Sequence, residues 1–145
     1  MAQVWVVAAD FGKARIFSAD TPIGALIEQE TFINPEARVK EAELRSDRPG
    51  RNNASVGSGR SAMEEAVEPK EQERIRFARL IADRIEQGRV ANAFERLVLV
   101  APPVFLGLLR DSLDSPARSQ VSLELHKDYV RLNPKELRSR LPSRI

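Results

Sequence analysis

The sequence predicts an α/β domain built on a single mixed five-stranded sheet with flanking helices. Three features carry that expectation. Apolar or alternating runs of strand length occur near both ends of the chain, amphipathic helical spacing occurs between them, and glycine, proline and aspartate mark the junctions.

Taken in order, Val4 to Ala9 is rich in valine and too short for a helix, and Lys13 to Ser18 alternates polar and apolar residues. Asp10, Phe11 and Gly12 supply a turn between them, so the spacing predicts a hairpin. Thr21-Pro22-Ile23-Gly24 makes a second turn into Ala25 to Ile33, a third antiparallel strand. From Asn34 to about Val67 the periodicity disappears, and Pro35, Pro49, Gly50, Gly57 and Gly59 interrupt a polar stretch. This reads as one long loop, with a helical turn near Arg38 to Leu44. Loops of that length inside compact domains are functional or disordered.

Periodicity returns at Pro69, well placed as a first helical residue, with Glu71 and Glu73 at the positive end of the helix dipole. Ile75, Ala78, Ala82 and Ile85 recur at helical spacing, and the helix is expected to end near Gly88. Leu97 to Ala101 is continuously apolar and bounded by Pro102-Pro103, as suits a central strand buried on both faces. Val104 to Leu113 reads as a second helix, extended over Ser115 to Ser119 after a break at Pro116. Val121 to Leu125 alternates as a fifth strand, and Asn133-Pro134 caps a short terminal helix. Trp5, Phe17, Phe77 and Phe105 are the expected large core residues.

At 145 residues the chain suits one domain that buries roughly two thirds of its unfolded surface. Val4 to Ala9 has no basic region before it, unlike a secretory signal, and no run approaches the roughly 20 apolar residues that cross a bilayer. Cysteine is absent, which removes a disulfide framework. A cytoplasmic protein without membrane insertion is the expectation.

The pI of about 9.3 overstates the basic character, because 23 basic and 21 acidic residues leave a net charge of only +2. Distribution matters more. Arg38, Lys40, Arg45, Arg48, Arg51 and Arg60 form one basic group, diluted by Glu36, Glu41, Glu43 and Asp47. Arg131, Lys135, Arg138, Arg140 and Arg144 form another, which faces only Glu136.

No catalytic constellation is evident. Asp10 is read as a turn residue, since a metal site needs several converging acids. Asp10-Phe11-Gly12 lacks the other kinase segments, and His126 has no nucleophile in a recognised motif beside it. Neither a Walker-type nor a dinucleotide glycine motif occurs, so no cofactor or metal is expected.

Phe77-Ala78-Arg79-Leu80, Leu97 to Pro103, Phe105 to Arg110 and Lys127-Asp128, together with Asp10, Ala14 to Phe17 and Ser46 to Arg51, resemble the bacterial host-attachment protein family. The resemblance covers roughly residues 3 to 140 and makes residues 1–145 a single domain of that kind. That family is in turn similar to the middle domain of archaeal and eukaryotic release factors, which implies a ribonuclease-H-like fold. Arg76-Phe77-Ala78-Arg79 follows a loop containing Gly57-Ser58-Gly59-Arg60, but no Gly-Gly-Gln triplet is present, so peptide-release chemistry is not implied.

The resemblance implies a non-enzymatic RNA- or ribosome-binding module. Its candidate phosphate contacts are Arg48, Arg51 and Arg60 with Gly57 and Gly59 in the loop, and Arg138 and Arg140 near the end. A factor for attachment to host cells, acting indirectly or as an adhesin, is the alternative. A hydrolase or nuclease on the same scaffold is a third reading. An open strand edge leaves room for a homodimer.

Overall fold

The computed structural model describes residues 3–36 and 69–145. They form a single small α/β domain around one five-stranded sheet of order β3-β2-β1-β4-β5. The strands are β1 (Val4–Ala9), β2 (Lys13–Ala19), β3 (Ile27–Ile33), β4 (Arg96–Val100) and β5 (Val121–Leu125). Helix α1 spans Pro69–Val90, α2 Pro103–Ser112, α3 Ser115–Arg118 and α4 Pro134–Ser139. β1 pairs antiparallel with β2, and β2 with β3, while β1, β4 and β5 run parallel. Only β2 is reversed.

β1 lies in the middle of the sheet, and all six of its residues are buried. The continuous apolar run Leu97 to Ala101 is therefore an interior strand beside the centre, and the similarly buried Val4 to Ala9 takes the middle. Because side chains alternate across a strand, β1 supplies two cores. Trp5, Val7 and Ala9 pack with α1, α2 and α3 on one face. Val4, Val6 and Ala8 pack on the other with Phe17, Val98, Leu137, Leu141 and Ile145. The C-terminal segment thus covers the second face of the sheet over β2, β1, β4 and β5.

Most elements form where the periodicity places them. The opening strands are an antiparallel meander, and the turn at Thr21 is closed by Gly24 N–H donating to the Thr21 carbonyl at 3.0 Å. β3 starts at Ile27, two residues later than the alternation suggests. Pro116 does not break a helix. The break falls at Leu113 and Asp114, and Pro116 sits in the first turn of α3, where its missing N–H is tolerated.

Helix α1 runs past Gly88 to Val90. The left-handed residue that follows it is Asn92, at φ 59°, and Ala93 N–H returns to the Gly88 carbonyl at 2.8 Å. Gly88 has a different task. A Cβ there would lie 2.4 Å from Cη2 of Trp5, whose ring also packs against Phe94 at 4.9 Å and lies under Arg84 at 5.2 Å. The glycine lets the helix approach the sheet over an indole.

Gly88→Ala is therefore expected to destabilise the protein, by up to about 2 kcal/mol. Overpacking of about 1–3 kcal/mol outweighs the roughly 1 kcal/mol that alanine gains in helix propensity. A urea midpoint at or above wild type would show that the contact does not constrain the helix.

Candidate functional site

The chain leaves β1 toward β2 on one side, whereas β4 continues through α2 and α3 to β5 on the other. The carboxyl ends of β1 and β4 therefore form the switch point at which open α/β sheets take ligands. Asp10 organises this end. Its Oδ1 accepts from Gly12 N–H at 2.8 Å and Lys13 N–H at 2.9 Å, and its own N–H donates to the Lys13 carbonyl at 2.8 Å. The aspartate is a turn residue, as the sequence indicates.

The same turn holds both flanks of the segment 37–68, which lies outside the described residues. On the leading flank Asn34, only 4% exposed, donates from its side chain to the Phe11 carbonyl and from its backbone to the Gly12 carbonyl, each at 2.9 Å. On the returning flank Arg74, in the second turn of α1, stacks over the Phe11 ring at 3.8 Å. Phe105 meets that ring edge-on at 5.5 Å. His126 is exposed just beyond the end of β5. Among the described residues no group of three His, Cys, Asp or Glu side chains could hold a metal ion.

The second face of the sheet carries the other polar arrangement. Arg15 points into the C-terminal core and is 8% exposed. Its Nη1 donates to the carbonyls of Val130 at 2.8 Å and Leu132 at 2.6 Å. Nε and Nη2 grip the Glu28 carboxylate at 3.1 and 2.8 Å. Those hydrogen bonds, with a third from Thr31 Oγ1 at 2.6 Å, hold the Glu28 carboxyl down to about 2. One guanidinium thus fastens the strap that follows β5 to the far side of the sheet.

Farther along the strap, Arg138 does similar work. Its guanidinium donates to the Gly24 carbonyl at 2.8 Å, Pro142 at 2.8 Å, Ser143 at 2.9 Å and Pro22 at 3.4 Å. α4 between these anchors has a capping box, with Asn133 accepting from Glu136 N–H at 2.8 Å. The expected terminal helix is present and capped as read.

The basic residues of the strap divide by use. Lys127, Arg131, Lys135, Arg140 and Arg144 are exposed, and none forms an ion pair among the described residues. Arg140 lies 5.4 Å over the Tyr129 ring. Of the candidate phosphate contacts, Arg138 and Arg140 are therefore near one another in sequence but differently employed: four carbonyls occupy the first, and the second faces outward. Arg48, Arg51, Gly57, Gly59 and Arg60 lie outside the described residues, as does the turn expected near Arg38 to Leu44.

Arg15 escaped the sequence reading, although a signal was present: it falls two residues before Phe17 on an alternating strand, which puts a charge on an apolar face. The groove beside β5, lined by Arg110, Arg118, Ser122 and Glu124, is shallow and crossed by the Arg110–Glu124 pair at 2.9 Å.

A family model described as "Protein required for attachment to host cells" matches residues 5–141. The chain belongs to this host-attachment family. No curated protein matches it. The matched span runs from β1 through the strap, so the Arg15 clamp, Arg138 and Arg140 all fall inside the family domain, and Arg144 falls just beyond. Among the described residues of this family member, no helix is long and apolar enough to cross a membrane.

Two outcomes are expected. Arg15→Met should cost about 2–4 kcal/mol, less than a fully buried broken pair because Glu28 remains 33% exposed. Limited proteolysis should then cut the strap faster than the sheet; a strap as resistant as wild type would refute the clamp. Because Glu28 ionises more readily in the folded than the unfolded protein, its contribution is present above the ordinary glutamate value of 4.5 and is lost as pH falls toward 2. The difference in urea midpoint between wild type and Glu28→Gln should be clear at about pH 5 and much smaller at about pH 2.5.

Proposed function

We propose that this host-attachment-related protein acts as a non-enzymatic, cytoplasmic RNA- or ribosome-binding module, and that its part in attachment to host cells is indirect. The observation that carries the reading is the strap: six basic residues against two acidic ones from His126 to Ile145, with five of the six exposed. Such a surface meets phosphates without first breaking ion pairs of its own.

The mixed sheet, with β2 alone reversed and helices α1 and α2 on one face, supports a ribonuclease-H-like classification and a kinship with release-factor middle domains. On this reading Arg48, Arg51 and Arg60, with Gly57 and Gly59, add phosphate contacts from the segment between Glu36 and Pro69. Arg140 contacts phosphate directly, and Arg138 contributes its charge while its N–H groups hold the backbone.

The test is co-sedimentation with ribosomes from lysate, with and without ribonuclease, at about 50 mM and about 200 mM salt. Wild type should travel with ribosomes at the lower salt and leave them at the higher. The variant Arg131→Glu, Lys135→Glu, Arg140→Glu, Arg144→Glu should lose at least about tenfold in affinity and bind with a shallower salt slope. Protein confined to the soluble top fractions at both salts would defeat the proposal.

A further inference from the structure

Single-stranded RNA is recognised by splaying its bases and stacking them on exposed aromatic rings, whereas double-helical RNA is held by contacts to phosphates and 2′-hydroxyls across a wide, shallow minor groove. The two substrates need different surfaces, and the aromatic side chains decide which one this protein has. The chain contains six phenylalanines, one tryptophan and one tyrosine. All eight lie in the described residues, and none is exposed.

Five of them, Trp5, Phe17, Phe77, Phe94 and Phe105, are buried in the two cores. Phe32 packs against the helix-side core. The two rings nearest the candidate site are already covered. Phe11 has Arg74 on its face and Phe105 at its edge, and Tyr129 packs into the strap core beneath Arg140. The segment 37–68 contains no aromatic residue, so it cannot supply the missing platform.

The cations, by contrast, suit a backbone. The chain has 18 arginines and five lysines, and the planar guanidinium donates two parallel hydrogen bonds to one phosphate. A second group of them is open on α1. Lys70, Arg76 and Arg79 are exposed on that helix, and none forms an ion pair among the described residues. α1 meets the Asp10 turn through Arg74 and covers one face of the sheet, while Lys127 and Arg131 begin the strap on the other. Open cations therefore lie on both faces of the sheet, on α1 and on the strap, and the one exposed ring among the described residues is the imidazole of His126.

We infer that the RNA this protein binds is double-helical, held by its phosphate and 2′-hydroxyl backbone, with the outer face of α1 at Arg76 and Arg79 as a contact surface additional to the strap. The inference rests on the RNA-binding reading above and narrows its substrate class. It makes binding independent of base sequence and dependent on A-form geometry.

The experiment is fluorescence anisotropy of the full chain with three labelled probes of equal length: an RNA duplex of ~20 base pairs, an unstructured single-stranded RNA, and the DNA duplex of the same sequence. The RNA duplex should bind at least about tenfold tighter than either of the others. Arg76→Glu with Arg79→Glu should weaken duplex binding by about tenfold while leaving the thermal midpoint near wild type, since both side chains are exposed. Single-stranded RNA bound as tightly as the duplex would overturn this inference and leave the RNA-binding reading standing. Equal binding of the DNA duplex would overturn A-form recognition, and an unaffected double variant would remove α1 from the contact. No binding to any probe would overturn both readings together.

Discussion

Arg15 is the constraint on which the second half of the structure depends. β1 is buried on both faces, so the sheet needs two covers, and only one face receives the long helices. The other is closed by a strap whose only helix is the short α4, far below the length at which a helix persists alone in water. What orders the strap is tertiary. Arg15 holds two of its carbonyls from β2, Arg138 reaches back to the β2–β3 turn, and Ile145 N–H donates to Pro22 at 2.8 Å. A buried guanidinium is tolerable because every side of it is occupied, by Glu28, by backbone oxygen and by the Phe17 ring at 4.8 Å.

Where local pattern and packing agree, the fold is readable from the residues. Val4 to Ala9, the Asp10 turn, the alternation of β2 and the Asn133 cap each carry their own signal, and each forms where expected. The misreadings share one cause. Gly88 looks like a helix terminus because glycine commonly ends helices, yet what it accommodates is a tryptophan 83 positions earlier in the chain. Pro116 looks like a breaker because proline interrupts helices, yet the chain had already turned at Leu113. Periodicity reports the face a residue shows; it does not report the identity of its neighbour.

The candidate site was readable only as composition. A run of basic residues near the C-terminus is plain in the sequence, but nothing local distinguishes Arg138 from Arg140. Their division of labour comes from the carbonyls of Pro22 and Gly24, brought close by the meander. Likewise, Asp10 and Asn34 are ordinary turn-forming residues until the sheet sets them on the same three-residue bend. The family match extends over all these positions and gives them a common frame.

The bend at Asp10 also decides how freely this protein could change its length. Asn34 and Arg74 are both tied to it, so the chain enters and leaves the intervening stretch at nearly one place, whatever lies between. The entropy of closing such an excursion grows only logarithmically, by about 0.6 kcal/mol for each doubling of its length. By closure entropy alone, a change of length between Glu36 and Pro69 would therefore weigh little on the two anchors that the bend holds.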